Sequence, residues 1–217
     1  MNLGEKKPLV IGICAGAIAI SILSLFLTQC ERSPKIDLSR SEAATEGLGK
    51  RLGQELPQGS KVVLVVMDPK IDSPVFRAQT KGFDRGLDPY EGKIKIVDRV
   101  KIKFEDSARG TSSGMPNKVY FDILKDNPDV DAIVSMVGIP MLTDGEIDQL
   151  PANIPRLYAV ILYHVGVKRA FEEGILSAAV IPRNERIEQS NDPQDADALF
   201  NKYYTYITEQ NYETLTF

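Results

Sequence analysis

The chain has 217 residues and a formal net charge of −4, with 30 Asp and Glu against 26 Lys and Arg. That balance leaves no basic footprint for nucleic acid. Its two cysteines, Cys14 and Cys30, both precede residue 31, so the rest of the chain can hold neither a disulfide framework nor a thiol nucleophile.

Leu9 to Thr28 reads LVIGICAGAIAISILSLFLT, without a charge or a proline. About 20 such residues suffice to cross a hydrocarbon core as a helix. Lys6 and Lys7 precede the run, offset by Glu5, and Glu31, Arg32 and Lys35 follow it. The bias favours the N-terminus in the cytoplasm and the remainder outside. Three fates compete. A retained signal-anchor is favoured by the length of the run and by the lack of an A-x-A cleavage site. Leu27-Thr28-Gln29-Cys30 resembles a bacterial lipobox, in which Cys30 would be cut and acylated, although Gln29 stands where a small residue is normal. The third fate is an ordinary cleaved secretory peptide. All three export the rest of the chain. The expectation is a single-pass protein of the bacterial inner (cytoplasmic) membrane with its soluble part on the periplasmic side. Residues 1–30 are then a cytoplasmic stub and anchor or signal, 31–60 a linker, and 61–217 one soluble domain.

Between Glu31 and Ser60 the chain is polar, with Leu48, Leu52 and Leu56 at four-residue intervals. It reads as a tether or a loosely docked helix ending at Pro57-Gln58-Gly59. Val62 to Met67 is a short unbroken apolar run that suits a strand buried on both faces. Ser73-Pro74 opens a helix, with serine as N-cap and proline at its first position; it ends near Asp88-Pro89. Lys93 to Phe104 alternates apolar residues with lysines and an arginine, as an edge strand does. The break of period at Val97-Asp98 predicts a bulge.

The next helix runs from Pro116 to Asp126 and stops at Asn127-Pro128. Asp131 to Val137 is a strand. Thr143 with Glu146 forms a capping box for a short helix. Leu157 to Tyr163 is another buried strand, and a helix around Val165 to Glu173 closes at Gly174, a C′ glycine. Ile175 to Ile181 is the last strand. Asp192-Pro193 caps a final helix carrying Ala196, Leu199, Phe200, Tyr203 and Ile207 as one stripe. Strands alternating with helices in this way predict an α/β fold, a doubly wound five-stranded parallel sheet of Rossmann-like or flavodoxin-like type in the order 2-1-3-4-5, beside the N-terminal transmembrane helix.

Val62 to Leu87 (VVLVVMDPKIDSPVFRAQTKGFDRGL) resembles the opening of periplasmic sugar-binding proteins of the type I class, where a strand leads through a short loop and an aromatic into a helix with a Gly-Phe or Gly-Ala step. Asn127 to Val134 (NPDVDAIV) resembles the segment before one of their inner strands. Val167 to Val180, followed by Pro182, resembles their late helix–glycine–strand–proline segment. Those proteins have two lobes that close on a ligand, and this chain has residues for only one. The resemblance implies a membrane-tethered, non-enzymatic, substrate-binding-protein-like domain for a small polar, sugar-like ligand, acting in sensing or uptake without a cofactor. One lobe offers half a cleft, so a second copy or an envelope protein partner must supply the other wall.

Ligands of doubly wound sheets bind beyond the carboxyl ends of the strands. That rule selects Asp68, Lys70, Asp72 and Ser73 after the first strand, Glu105 and Asp106 after the second, Gly138 and Ile139 after the third, His164 after the fourth, and Arg183 and Asn184 after the fifth. The charged and polar members form the expected ligand-binding set. Gly110 to Gly114, ahead of the Pro116 helix, suits an anion or a plain loop. No Walker A or G-x-G-x-x-G pattern occurs. A phosphoacceptor reading fails because the third strand ends in Ser135, Met136 and Gly138 where an aspartate is needed. His164, the only histidine, makes no metal site by itself. Asp68, Asp72, Glu105 and Asp106 leave a metal-dependent hydrolase as a minor alternative, and a protein-interaction scaffold of an envelope complex as the stronger one. Tyr203, Tyr204, Tyr206 and Tyr212 read as helix packing and a C-terminal interface.

Overall fold

The structure, a computed structural model, describes residues 37–68, 70, 73–103, 114–183 and 192–214. The apolar run Leu9 to Thr28 and Cys30 lie outside the described residues. Among the described residues no helix is long and apolar enough to cross a membrane. Leu38–Phe217 form one compact unit.

Helix α1 (Ser39–Glu55) leads into β1 (Ser60–Met67), α2 (Pro74–Leu87) and the edge strand β2 (Ile94–Ile102). There follow α3 (Asn117–Asp126), β3 (Ala132–Ser135), the single-turn α4 (Asp144–Ile147) and β4 (Arg156–Val160). The unit ends with α5 (Val167–Glu172), β5 (Ala178–Pro182), α6 (Ala196–Tyr203) and β6 (Tyr204–Thr208). The sheet order is β2-β1-β3-β4-β5-β6. Pairing is parallel through β5 and antiparallel between β5 and β6.

Alternate residues of the inner strands feed two cores, as a period of two requires. Val62, Leu64, Ala132 and Val134 face one side, where they meet Leu48 and Leu52 of α1, Phe83 of α2 and Phe200 of α6. Val63, Val65, Ile133 and Leu157 face the other, where they meet Tyr120 of α3 and Val167 and Phe171 of α5. The capping box at α4 forms as expected, with the Glu146 carboxylate accepting from the Thr143 N–H at 2.8 Å. The bulge also falls where the period breaks: Val62 pairs with Ile96 and Val63 with Asp98, so Val97 is skipped.

Three expectations are corrected. The stretch read as a tether or loosely docked helix holds α1, whose Leu48 and Leu52 are 0% exposed. Its leucines recur at helical spacing and supply much of one core. The helix also sits unusually close to α2. A Cβ on Gly82 would come within 2.3 Å of the Glu42 carbonyl oxygen, and one on Gly86 within 2.3 Å of the Glu46 oxygen, so only glycine permits this approach.

The parallel five-stranded sheet gains a sixth, antiparallel strand. The helical stripe ends at Tyr203, and Ile207 lies on β6 with its side chain in the other core from Phe200. Tyr-Thr-Tyr-Ile-Thr is rich in aromatic and β-branched residues that fit a pleated surface, and the free edge of β5 supplies the partner ladder.

The cap of the last helix is Asp195, whose carboxylate accepts from the Ala198 N–H at 2.8 Å. Asp192 accepts instead from Arg40 Nη2 at 2.7 Å, from Lys202 Nζ at 2.8 Å and from the Tyr203 hydroxyl. Lys202, Tyr203 and Arg40 together hold its carboxyl well below the usual carboxylate range. This cluster fastens α6 to the start of α1.

Candidate ligand-binding rim

The carboxyl ends of the parallel strands share one edge of the sheet, and the loops leaving them form a rim. After β1, the Asp68 N–H donates to the Ile102 oxygen at 2.8 Å, which holds the ends of β1 and β2 side by side. The Asp68 carboxylate accepts from the Lys70 N–H at 3.0 Å, closing a local turn. Ser73 stands at the N-cap of α2 in an extended conformation, and its side chain makes no capping hydrogen bond. Asp72, Glu105, Asp106 and Asn184 lie outside the described residues, as does most of the Gly110–Gly114 loop.

After β3, Ser135 is fully buried and its Oγ accepts from the Val137 N–H at 3.3 Å. The next loop, Met136 to Leu142, is pinned by one side chain. Asn117 donates to the Met141 oxygen at 2.9 Å and to Glu146 Oε2 at 3.0 Å, and accepts from the Met141 N–H at 3.0 Å. The Thr143 N–H, the Thr143 hydroxyl and Asn117 hold the Glu146 carboxyl below its ordinary range.

After β4, the half-buried His164 accepts through its carbonyl from the Val167 N–H at 3.3 Å, starting α5. After β5, Arg183 turns toward the last helix: its N–H donates to the Tyr203 oxygen at 2.9 Å and its Nε to the Asn201 oxygen at 3.1 Å. The expected residues thus divide. Asp68, Lys70 and Ser73 gather at the β1 end. His164 and Arg183 follow adjacent strands two and three positions further along the sheet. Among the described residues, no group of three or more His, Cys, Asp or Glu side chains could hold a metal ion.

Residues that the polar selection missed dominate one part of this rim. Leu162, Tyr163 and Val165 are 60%, 62% and 72% exposed. Met141 joins them, because its side chain lies against Gly166, where a Cβ would come within 2.6 Å of the methionine sulfur. Leu162 and Tyr163 were hidden in the sequence by the strand expected over Leu157 to Tyr163, and Val165 by the helix expected from that residue. The ladder with β5 stops at Val160, and an unbroken apolar run does not reveal where its pairing ends. Three large apolar side chains exposed within four residues, with Met141 against the adjoining Gly166, are unusual for a surface that faces only water.

No family model and no curated protein matches this sequence. Solved structures share its fold. An arabinose-binding protein, AraP, from Geobacillus stearothermophilus is similar at 14% identity over 82% of this chain and 63% of that protein, with a TM-score of 0.52. A sugar-binding protein of a sugar ABC transporter from Bacillus halodurans is similar at 16% identity over 81% and 63%, with a TM-score of 0.52. A XylFII–LytSN complex contains a chain similar at 12% identity over 78% and 60%, with a TM-score of 0.51. This chain therefore has the fold of type I sugar-binding proteins and spans 63% of the length of the first two.

Proposed function

We propose that this chain is a non-enzymatic, membrane-tethered lobe that binds a small polar, sugar-like ligand at the carboxyl-end rim and acts in sensing or uptake. The observation that carries this reading is the parallel sheet itself, shared with proteins described as arabinose- and sugar-binding. Its strand ends carry an exposed aromatic, Tyr163, next to His164 after β4, and the hydrogen-bonding groups Asp68 and Ser73 after β1. An exposed phenol suits the apolar face of a sugar ring, and hydroxyl and carboxylate groups suit its rim. Leu9 to Thr28 is the tether, in the bacterial inner membrane with the domain on the periplasmic side, or else the signal that precedes acylation at Cys30. A tethered domain does not diffuse to deliver a ligand, which favours sensing at the membrane.

A thermal-shift screen of the full chain against pentoses, hexoses and nucleosides tests the reading. At a hundredfold excess over Kd, a bound ligand is expected to stabilise by about 2.7 kcal/mol. Replacing Tyr163 by Ser should abolish the shift. A flat response across the panel overturns sugar binding.

A second reading rests on the exposed apolar side chains at 162, 163 and 165. They suit a contact with another protein, either a second copy that completes the half-cleft or an envelope partner, and a similar chain occurs in a complex with a partner domain. Concentration-dependent dimerisation lost in Leu162→Ser, without any response to sugars, would replace the first reading by this one.

A further inference from the structure

A second concave site meets the rim at Ser73 and runs from there along the α1–α2 side of the sheet. It is a groove of about 640 Å3 between α2 and the distal half of β2, within the roughly 300–1,000 Å3 typical of small-molecule sites.

The bulge at Val97 creates it. Ahead of the bulge, Ile96 pairs with Val62 and shares the helix-facing side of the sheet. Past it, Arg99 pairs with Leu64 and Lys101 with Val66, so two cations take that side. The apolar Val100 and Ile102 turn to the opposite core. Without the extra residue, Val100 would stand beside Val66 and give α2 an apolar surface to pack on. A strand surface ending in Arg99 and Lys101 gives none, and the space between helix and strand stays open.

The floor of the groove is apolar, from Val66 and Phe76. Its walls carry five cations, three on α2 (Arg77, Lys81, Arg85) and two on β2, against the two carboxylates Asp84 and Asp88. Arg99 is oriented by Asp84 at 2.9 Å. Lys81 and Arg85 are oriented by Glu42 and Glu46 of α1, at 3.0 Å and 3.1 Å. A guanidinium in one ion pair still has N–H donors to offer. Lys101 makes no ion pair among the described residues, so the strand wall presents a cation above an apolar floor.

We propose that this groove binds a small amphipathic anion, a carboxylate or phosphate carried on an apolar body, independently of any ligand at the rim. The apolar body covers Val66 and Phe76, and the anionic head meets Lys101 and Arg99.

The probe is 2-naphthoate, titrated into the full chain labelled with 13C at its valine and methionine methyl groups. Val66, which pairs with Lys101 and packs on the α1–α2 side, reports the groove and Met141 the rim. The expected result is a saturable shift of the Val66 methyls with Met141 unmoved. Binding should weaken about tenfold for the neutral 2-naphthol, and about tenfold in Lys101→Glu, as for loss of a charged hydrogen bond. Lys101 is exposed on an edge strand, so this variant keeps the fold, and Lys101→Ala should give a smaller loss in the same direction. Unmoved Val66 methyls, equal binding of 2-naphthol, or unchanged affinity in Lys101→Glu overturns the proposal. A sugar that shifts Met141 alone supports the rim reading and leaves the groove to be judged on Val66.

Discussion

Along α1 and α2 the chain packs helix on helix so closely that Gly82 and Gly86 cannot carry a Cβ, above leucines that water does not reach. At the carboxyl ends of the same strands, Leu162, Tyr163 and Val165 stand mostly in solvent. Both regions are rich in apolar side chains, and they differ in whether the fold supplies a partner. The helix face is self-sufficient, whereas the rim presents apolar surface that nothing among the described residues covers. Substitutions should therefore affect stability in the first region and binding in the second.

The largest effect is expected on the covered face. Leu52→Ala removes a fully buried side chain from the α1 core and should cost about 2–5 kcal/mol in chemical denaturation. A loss below about 1 kcal/mol would mean that α1 is only loosely docked after all. Gly86→Ala should cost about 1–3 kcal/mol, because the new methyl meets the Glu46 carbonyl and the helices must part. A neutral outcome would show that the contact relaxes without strain.

Asp192 tests the tie between α6 and α1. Its folded carboxyl lies below the ordinary value, so its contribution is fully present at neutral pH and fades as pH falls through about 4 toward the folded value. Asp192→Asn should lower the melting temperature at pH 7 by a few degrees, and the gap from the parent should shrink on acidification. A gap that stays constant with pH would assign the loss to shape and leave no role for charge. The smallest effect on stability is expected at the rim. Tyr163→Ser should change stability by at most about 0.5 kcal/mol, as for other exposed positions, while it removes any sugar response. A larger destabilisation would place Tyr163 in the packed part of the fold.

Much of this architecture is legible in local patterns. The buried run Val62 to Met67, the capping box of Thr143 and Glu146, the glycine after α5 and the bulge at Val97 each follow from chemistry within a few residues. The order of the five parallel strands followed from placing the lysine-rich strand at an edge. The positions of Asp68, Lys70, Ser73, His164 and Arg183 at strand ends were also legible, because strand ends can be read from the alternation of elements. Leu162 and Tyr163 were not, since they continue an apolar strand without any break in composition, nor was Val165, which reads as the start of the next helix.

The sequence alone determined which segments are strands and helices wherever periodicity and end signals agree, because those preferences act over one turn or one pleat. Only the tertiary structure decided the fate of segments whose local signals were ambiguous. Leu48, Leu52 and Leu56 form a core helix because the sheet offers an apolar face for them. Tyr204–Thr208 form a strand because β5 has an edge to pair with. Arg99 and Lys101 line a groove because one skipped residue sets the face on which they emerge. In each case the deciding partner is distant along the chain or on a neighbouring strand, and no local pattern records it.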